Sequence, residues 1–106
     1  MGIFSIAYDV EAPMSTDEQI ALGIDAFGRE PVDLALAYAA AEYSLDSDTA
    51  RVLVGCVLEG MATEYTTVVE SVDEVLEAAQ RTGRWNLDAC EFVVDIAAVC
   101  GLDATL

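Results

Sequence analysis

Twenty Asp and Glu residues stand against four Arg in this chain of 106, with no Lys and no His, so any fold it adopts must hold a net charge of −16. Like charges one turn apart repel, so the acids must spread over solvated faces while the apolar residues, 55% of the chain, gather elsewhere. Acidic chains that stay disordered are poor in apolar residues. This one has enough for a core, and its length suits a single domain, residues 1–106. The apolar share slightly exceeds that of a typical soluble domain, which leaves surface for a homodimer contact or a partner.

The sign of the charge excludes partners as well. A nucleic-acid binder displaces counterions from phosphates with cations, and a binder of anionic membranes needs them too, so neither is expected. No charge-free run exceeds eight residues, too short for a membrane span. The apolar start, residues 1–10, has no basic flank and meets Asp9, unlike a signal peptide, and Ile6 stands where a myristoylation motif needs Ser or Thr. A cytoplasmic protein is expected. Cys56, Cys90 and Cys100 are odd in number, lack a paired-cysteine spacing and lie in apolar stretches, so buried free thiols are expected.

Hydrophobic spacing and capping residues predict a mainly α fold, a compact bundle of about five helices. Ser15 or Thr16 caps a first helix to about Phe27, with Ile20, Ile24 and Phe27 inward and Gly28 as the stop. Pro31 opens a second to about Tyr43. Its stripes Val32, Leu36, Ala39, Tyr43 and Leu34, Tyr38, Ala41 make it apolar nearly all round, which predicts burial. Ser47 caps a third to about Thr63, with Leu53, Val57 and Met61 inward. Ser71 and Glu74 form a capping box for a fourth, with Val72, Val75, Leu76 and Ala79 inward and Gly83 closing it. Asn86 caps a fifth, 87–100, ended by Gly101. The second and fifth are expected to be central or to lie at a dimer interface. Phe4, Ile6, Tyr8 and Val10 alternate as in a strand that could pair with 65–69, while Ile3, Ile6, Ala7 and Val10 fit a helix equally.

Ser15-Thr16-Asp17-Glu18, Gly28-Arg29 and Val32-Asp33 recur as Ser71-Val72-Asp73-Glu74, Gly83-Arg84 and Leu87-Asp88. A duplicated helical hairpin, 15–46 and 71–103, explains the echo. So does the ordinary use of Ser, Asp-Glu and Gly at hairpin ends.

Catalysis finds little footing. Without His there is no nucleophile–His pair and no His-based metal motif, and there is no glycine-rich phosphate loop. No enzyme activity, cofactor or metal is expected. Asp46-Ser47-Asp48 begins like a calcium loop, but Arg51 and Val57 occupy the positions that need Gly and Glu. Leu45-Asp46-Ser47 at a helix start resembles the attachment site of acyl carrier proteins, in which an Asp-Ser-Leu motif opens a helix and the Ser carries a phosphopantetheine arm. Asp48 departs from that pattern, where the family has an apolar residue. Plain N-capping produces the same dipeptide and is the preferred reading.

The acids themselves are the strongest functional signal. Asp17, Glu18, Asp33, Asp48, Asp73, Glu74 and Asp88 sit at helix starts, where the helix dipole favours them. Beyond that, Glu70, Asp73, Glu74 and Glu77 line one side of the fourth helix, and Asp88, Glu91 and Asp95 line the fifth. Such rows cost a few tenths of a kcal/mol per pair, so something other than stability maintains them. These seven residues are the expected partner-binding set. Carboxylates about 5–6 Å apart along a helix imitate a nucleic-acid backbone, and a basic, nucleic-acid-handling enzyme or complex is the partner that such a surface fits. Small phage inhibitors of the antirestriction and anti-CRISPR kind, and immunity proteins that plug nucleases, are similar in composition. The alternative is an acidic domain from a salt-adapted or GC-rich organism. Trp85 is expected to pack over its own hairpin rather than to anchor a partner.

Overall fold

The computed structural model describes residues 14–62 and 68–101, with side chains from Ser71 onward in the second stretch. Five helices follow one another: α1 (Thr16–Phe27), α2 (Arg29–Glu42), α3 (Ser47–Ala62), α4 (Val68–Arg81) and α5 (Ala89–Val99). There is no strand among the described residues. The N-terminal stretch proposed for one lies outside them, and Val68 and Val69 of the second β-prone patch open α4 instead.

The centre of the bundle is α3, which touches each of the other four helices. Its stretch from Leu53 to Leu58 is buried without a break. Of the two places expected for α2, the centre of the bundle is thus taken by α3. Only Val32, Ala35 and Ala39 of α2 are buried, while Leu34 is 56% exposed and Ala37 and Ala41 face solvent. Being apolar all round did not bury α2, because α3 already fills the middle. In α5, Ala89, Phe92, Val93, Ile96 and Ala97 are buried.

The closest helix pair, α1 and α3, meets through two glycines. A Cβ on Gly23 would stand 2.6 Å from Leu58 Cδ1 and 3.0 Å from Leu58 Cβ. A Cβ on Gly55 would stand 2.7 Å from Gln19 Oε1. Each helix thus lends the other a notch for one side chain. Ile20 adds an apolar contact to the same core.

Local chemistry sets the ends of the helices. Ser15 and Glu18 cap α1 reciprocally: Glu18 N–H donates to Ser15 Oγ at 3.2 Å, and Ser15 N–H to Glu18 Oε1 at 2.9 Å. Gly28, at φ +101°, is the only residue between α1 and α2, a backbone angle that L side chains rarely adopt. Between α2 and α3 the chain turns through Ser44 at φ +53° and buries Leu45.

Three of the expected caps are placed differently. Asp46, not Ser47, caps α3: it accepts from Thr49 N–H at 3.1 Å and from Thr49 Oγ1 at 2.7 Å. Asp88, not Asn86, caps α5, accepting from Glu91 N–H at 3.1 Å. Ser71 caps nothing. Since α4 begins at Val68, Ser71 lies within the helix and is 3% exposed. The buried face of α4 runs through Ser71, Val75, Ala78 and Ala79, which turns Leu76 outward to 41% exposure.

Gly23→Ala recovers about 1 kcal/mol of helix propensity, but its methyl meets the fully buried Leu58, which has nowhere to move. Overpacking should win, for a net loss of about 1–3 kcal/mol, read as a lower urea midpoint with an unchanged slope. Gly55→Ala should cost less, because its nearest neighbour is the far end of the flexible Gln19 side chain, whose displacement gives up only the hydrogen bond to Glu59. A gain in stability for Gly23→Ala would mean that the two helices are not held this close.

Candidate partner-binding surface

The packing of α4 and α5 decides where the expected carboxylates go. With Val75, Ala78 and Ala79 turned inward, Asp73, Glu74 and Glu77 are left exposed on α4. Glu70 lies in the first turn of α4, and its side chain is outside the described residues. Glu74 and Glu77 wall a groove of about 500 Å³ against α1 and α3, together with Gln19, Glu59 and Arg81. Glu59 was not among the expected residues. Gln19 Nε2 donates to its Oε1 at 2.7 Å while the body of Gln19 fills the Gly55 notch. That hydrogen bond joins residues 40 apart, so no local spacing marks it.

On α5, Asp88 and Glu91 are exposed and Asp95 is half-buried. Asp95 is tied into the fold. Its Oδ2 accepts from Tyr43 Oη at 2.7 Å and from Tyr38 Oη at 3.2 Å, which ties α5 to α2. The Tyr43 ring also stands edge-on to Phe92, centroids 5.0 Å apart. Burial, and then the hydrogen bond to Asp95, hold the Tyr43 phenol far above its ordinary value, and the same causes raise Tyr38. The acidic row on α5 is thus part structure and part surface.

Asp88 and Glu91 wall a second groove, about 460 Å³, with Glu42 and Tyr43 from the end of α2 and with the turn before α5. Trp85 stands in that turn and is 70% exposed, which corrects the expectation that it would pack over its hairpin. Leu87 takes the apolar position instead, packing against the core. Arg84 anchors the turn from the other side, its Nη2 donating to Asp46 Oδ1 at 3.1 Å. The two grooves share no residue, so the stripes on α4 and α5 serve two separate concavities rather than one continuous face.

Arg51 pairs with Asp17 at 2.7 Å. Cys56 is buried, and burial, with the nearby Glu74 charge, pushes its thiol up to about 11. Cys100 is half-buried, and Cys90 is exposed on α5, contrary to the expectation of three buried thiols. Ser47 is exposed in the first turn of α3. Among the described residues no helix is long and apolar enough to cross a membrane, and no three or more His, Cys, Asp or Glu are grouped to hold a metal. No protein-family model matches the chain, and no curated protein or solved structure is significantly similar to it.

Two predictions follow from these contacts. Thr49's hydroxyl and N–H, with Arg84, hold the Asp46 carboxyl below the usual carboxylate range. A depressed group stabilises above its unfolded value and loses that contribution as pH falls through the folded one, here below about pH 4. Thermal unfolding should therefore show a steeper acid limb for the native chain than for Asp46→Asn, while Ser47→Ala changes little at any pH; equal effects of the two would return the cap to Ser47. Tyr43→Phe should cost about 1.5–3 kcal/mol, as for a hydrogen bond to a carboxylate. Combined with Asp95→Asn it should cost clearly less than the sum, and strict additivity in denaturant melts would break the α2–α5 tie.

Proposed function

We propose that this chain is a non-catalytic binding protein that occupies a basic, nucleic-acid-handling surface of another protein. The observation that carries this reading is the exposure of Glu74 and Glu77 in one groove and of Asp88 and Glu91 in the other, on a chain with a net charge of −16. Even if each of the four Arg neutralised one acid, the charge excess would remain. A surface of this kind repels phosphates and membranes and attracts a cationic cleft from a distance. In such a cleft the carboxylates stand in for backbone phosphates, so the protein acts by inhibition or sequestration, in the manner of antirestriction, anti-CRISPR or nuclease immunity proteins. The encounter belongs in the cytoplasm, where such targets work.

The test starts from basic proteins enriched on heparin and passed over the immobilised chain. Retained protein should be released by duplex DNA and by moderate salt, since charges near a rim are screened beyond about 8 Å at physiological ionic strength. Reversals Glu74→Lys, Glu77→Lys and Glu91→Lys should slow association by about tenfold or more and affect dissociation less. Asp95 is left out of this set because its reversal would strike the tyrosine contacts. A retained partner indifferent to DNA and to all three reversals would end the mimicry reading. Unfolding of the chain in dilute buffer, with no charge-sensitive partner, would point to salt adaptation instead.

A further inference from the structure

We propose that the groove beside Trp85 receives an arginine side chain of the basic partner, an inference that rests on the reading just given. A tryptophan that is 70% exposed leaves a large apolar face in water. Its own hairpin has no need of it, because Leu87 fills the core position and the Arg84–Asp46 contact fixes the turn. The ring stands in the wall of a concavity of about 460 Å³, within the usual range for a bound small group. The same concavity is lined by Glu42, Glu91 and Tyr43 and by Asp88, whose Oδ1 caps α5. The one cation in the lining, Arg84, already meets the carboxylate of Asp46.

An aromatic face combined with several carboxylates suits one side chain above others. Tryptophan is the strongest cation–π acceptor among the side chains. Guanidinium is planar, weakly hydrated and able to stack, and its fork of donors matches a carboxylate in two bonds. An ammonium group is compact and strongly hydrated, so it gains less from the ring. A phosphate or carboxylate ligand is repelled. Charge complementarity and the exposed ring thus select arginine over lysine and over any anion.

Trp85 is the only tryptophan in the chain, so its emission reports on this groove directly. Short blocked peptides of Arg, of Lys and of the neutral isostere citrulline would be titrated at one ionic strength. The Arg peptide should change the emission saturably and bind at least about fivefold more tightly than the Lys peptide, with citrulline inert. Glu42→Gln with Glu91→Gln should weaken it about tenfold, whereas Glu74→Gln with Glu77→Gln should leave it within about twofold, because those residues line the other groove. Circular dichroism would verify that each variant is folded. Calorimetry on Trp85→Ala, which has no reporter, should show the preference for Arg lost. Equal affinity for Arg and Lys peptides, or equal weakening by both variant pairs, would overturn the proposal and leave only general charge attraction. A partner released by DNA but indifferent to Trp85→Ala and to the Glu42–Glu91 pair would sink the arginine site while sparing the proposed function. Selective Arg binding with no DNA-competed partner would do the reverse.

Discussion

The interlock of α1 and α3 carries the rest of the bundle. Leu58 lies in the space left by Gly23, and Gln19 lies in the space left by Gly55. The two backbones come close enough for dense packing along the whole contact, and α3 becomes a surface on which α2, α4 and α5 dock. Dispersion falls off steeply with separation, so a bundle with this pair pushed apart would lose contact energy at both notches at once. The same interlock reaches the surface. Gln19 is held against Gly55, and its amide in turn fixes Glu59 in the acidic groove.

Helix number and order were legible in the sequence, and the physical reason is locality. A stripe every three to four residues, a Ser-x-x-Glu before an apolar run and a Gly after one all report on contacts within a few residues. Ser15 with Glu18, Gly28 and Gly83 meet that expectation. The same local grammar misled at Ser71, which carries the capping pattern yet sits inside α4 because the helix already begins at Val68. At Asp46 and Asp88 it missed by one or two positions, since Ser, Asp and Asn compete as caps and neighbouring contacts choose among them.

What stayed hidden depends on distant pairs. Tyr43 and Asp95 are 52 residues apart, and nothing near Asp95 distinguishes it from the exposed acids that share its spacing. The centrality of α3 was hidden for a related reason. α2 is apolar on nearly every side too, but which helix lies in the middle is settled by contacts between helices, and those appear only when the helices are laid together. Trp85 completes the contrast. Its ring was expected to pack because tryptophan usually does, yet it is exposed while Leu87, two residues on, packs against the core. Of the residues singled out for binding, Asp73, Glu74, Glu77, Asp88 and Glu91 are exposed, and Asp95 is half-buried and bonded to Tyr43.

The place of α3 also governs how the molecule opens. Its amides between Leu53 and Leu58 lie under every other helix, so no fraying of one end uncovers them. Their exchange with solvent hydrogen should therefore require the domain as a whole to come apart, so that their protection would measure the global stability rather than that of any segment. The turn that carries Trp85 lies at the edge of the fold, held by Leu87 against the core and by the Arg84–Asp46 contact. The exposed ring of Trp85 is thereby mounted beside a centre that stays closed.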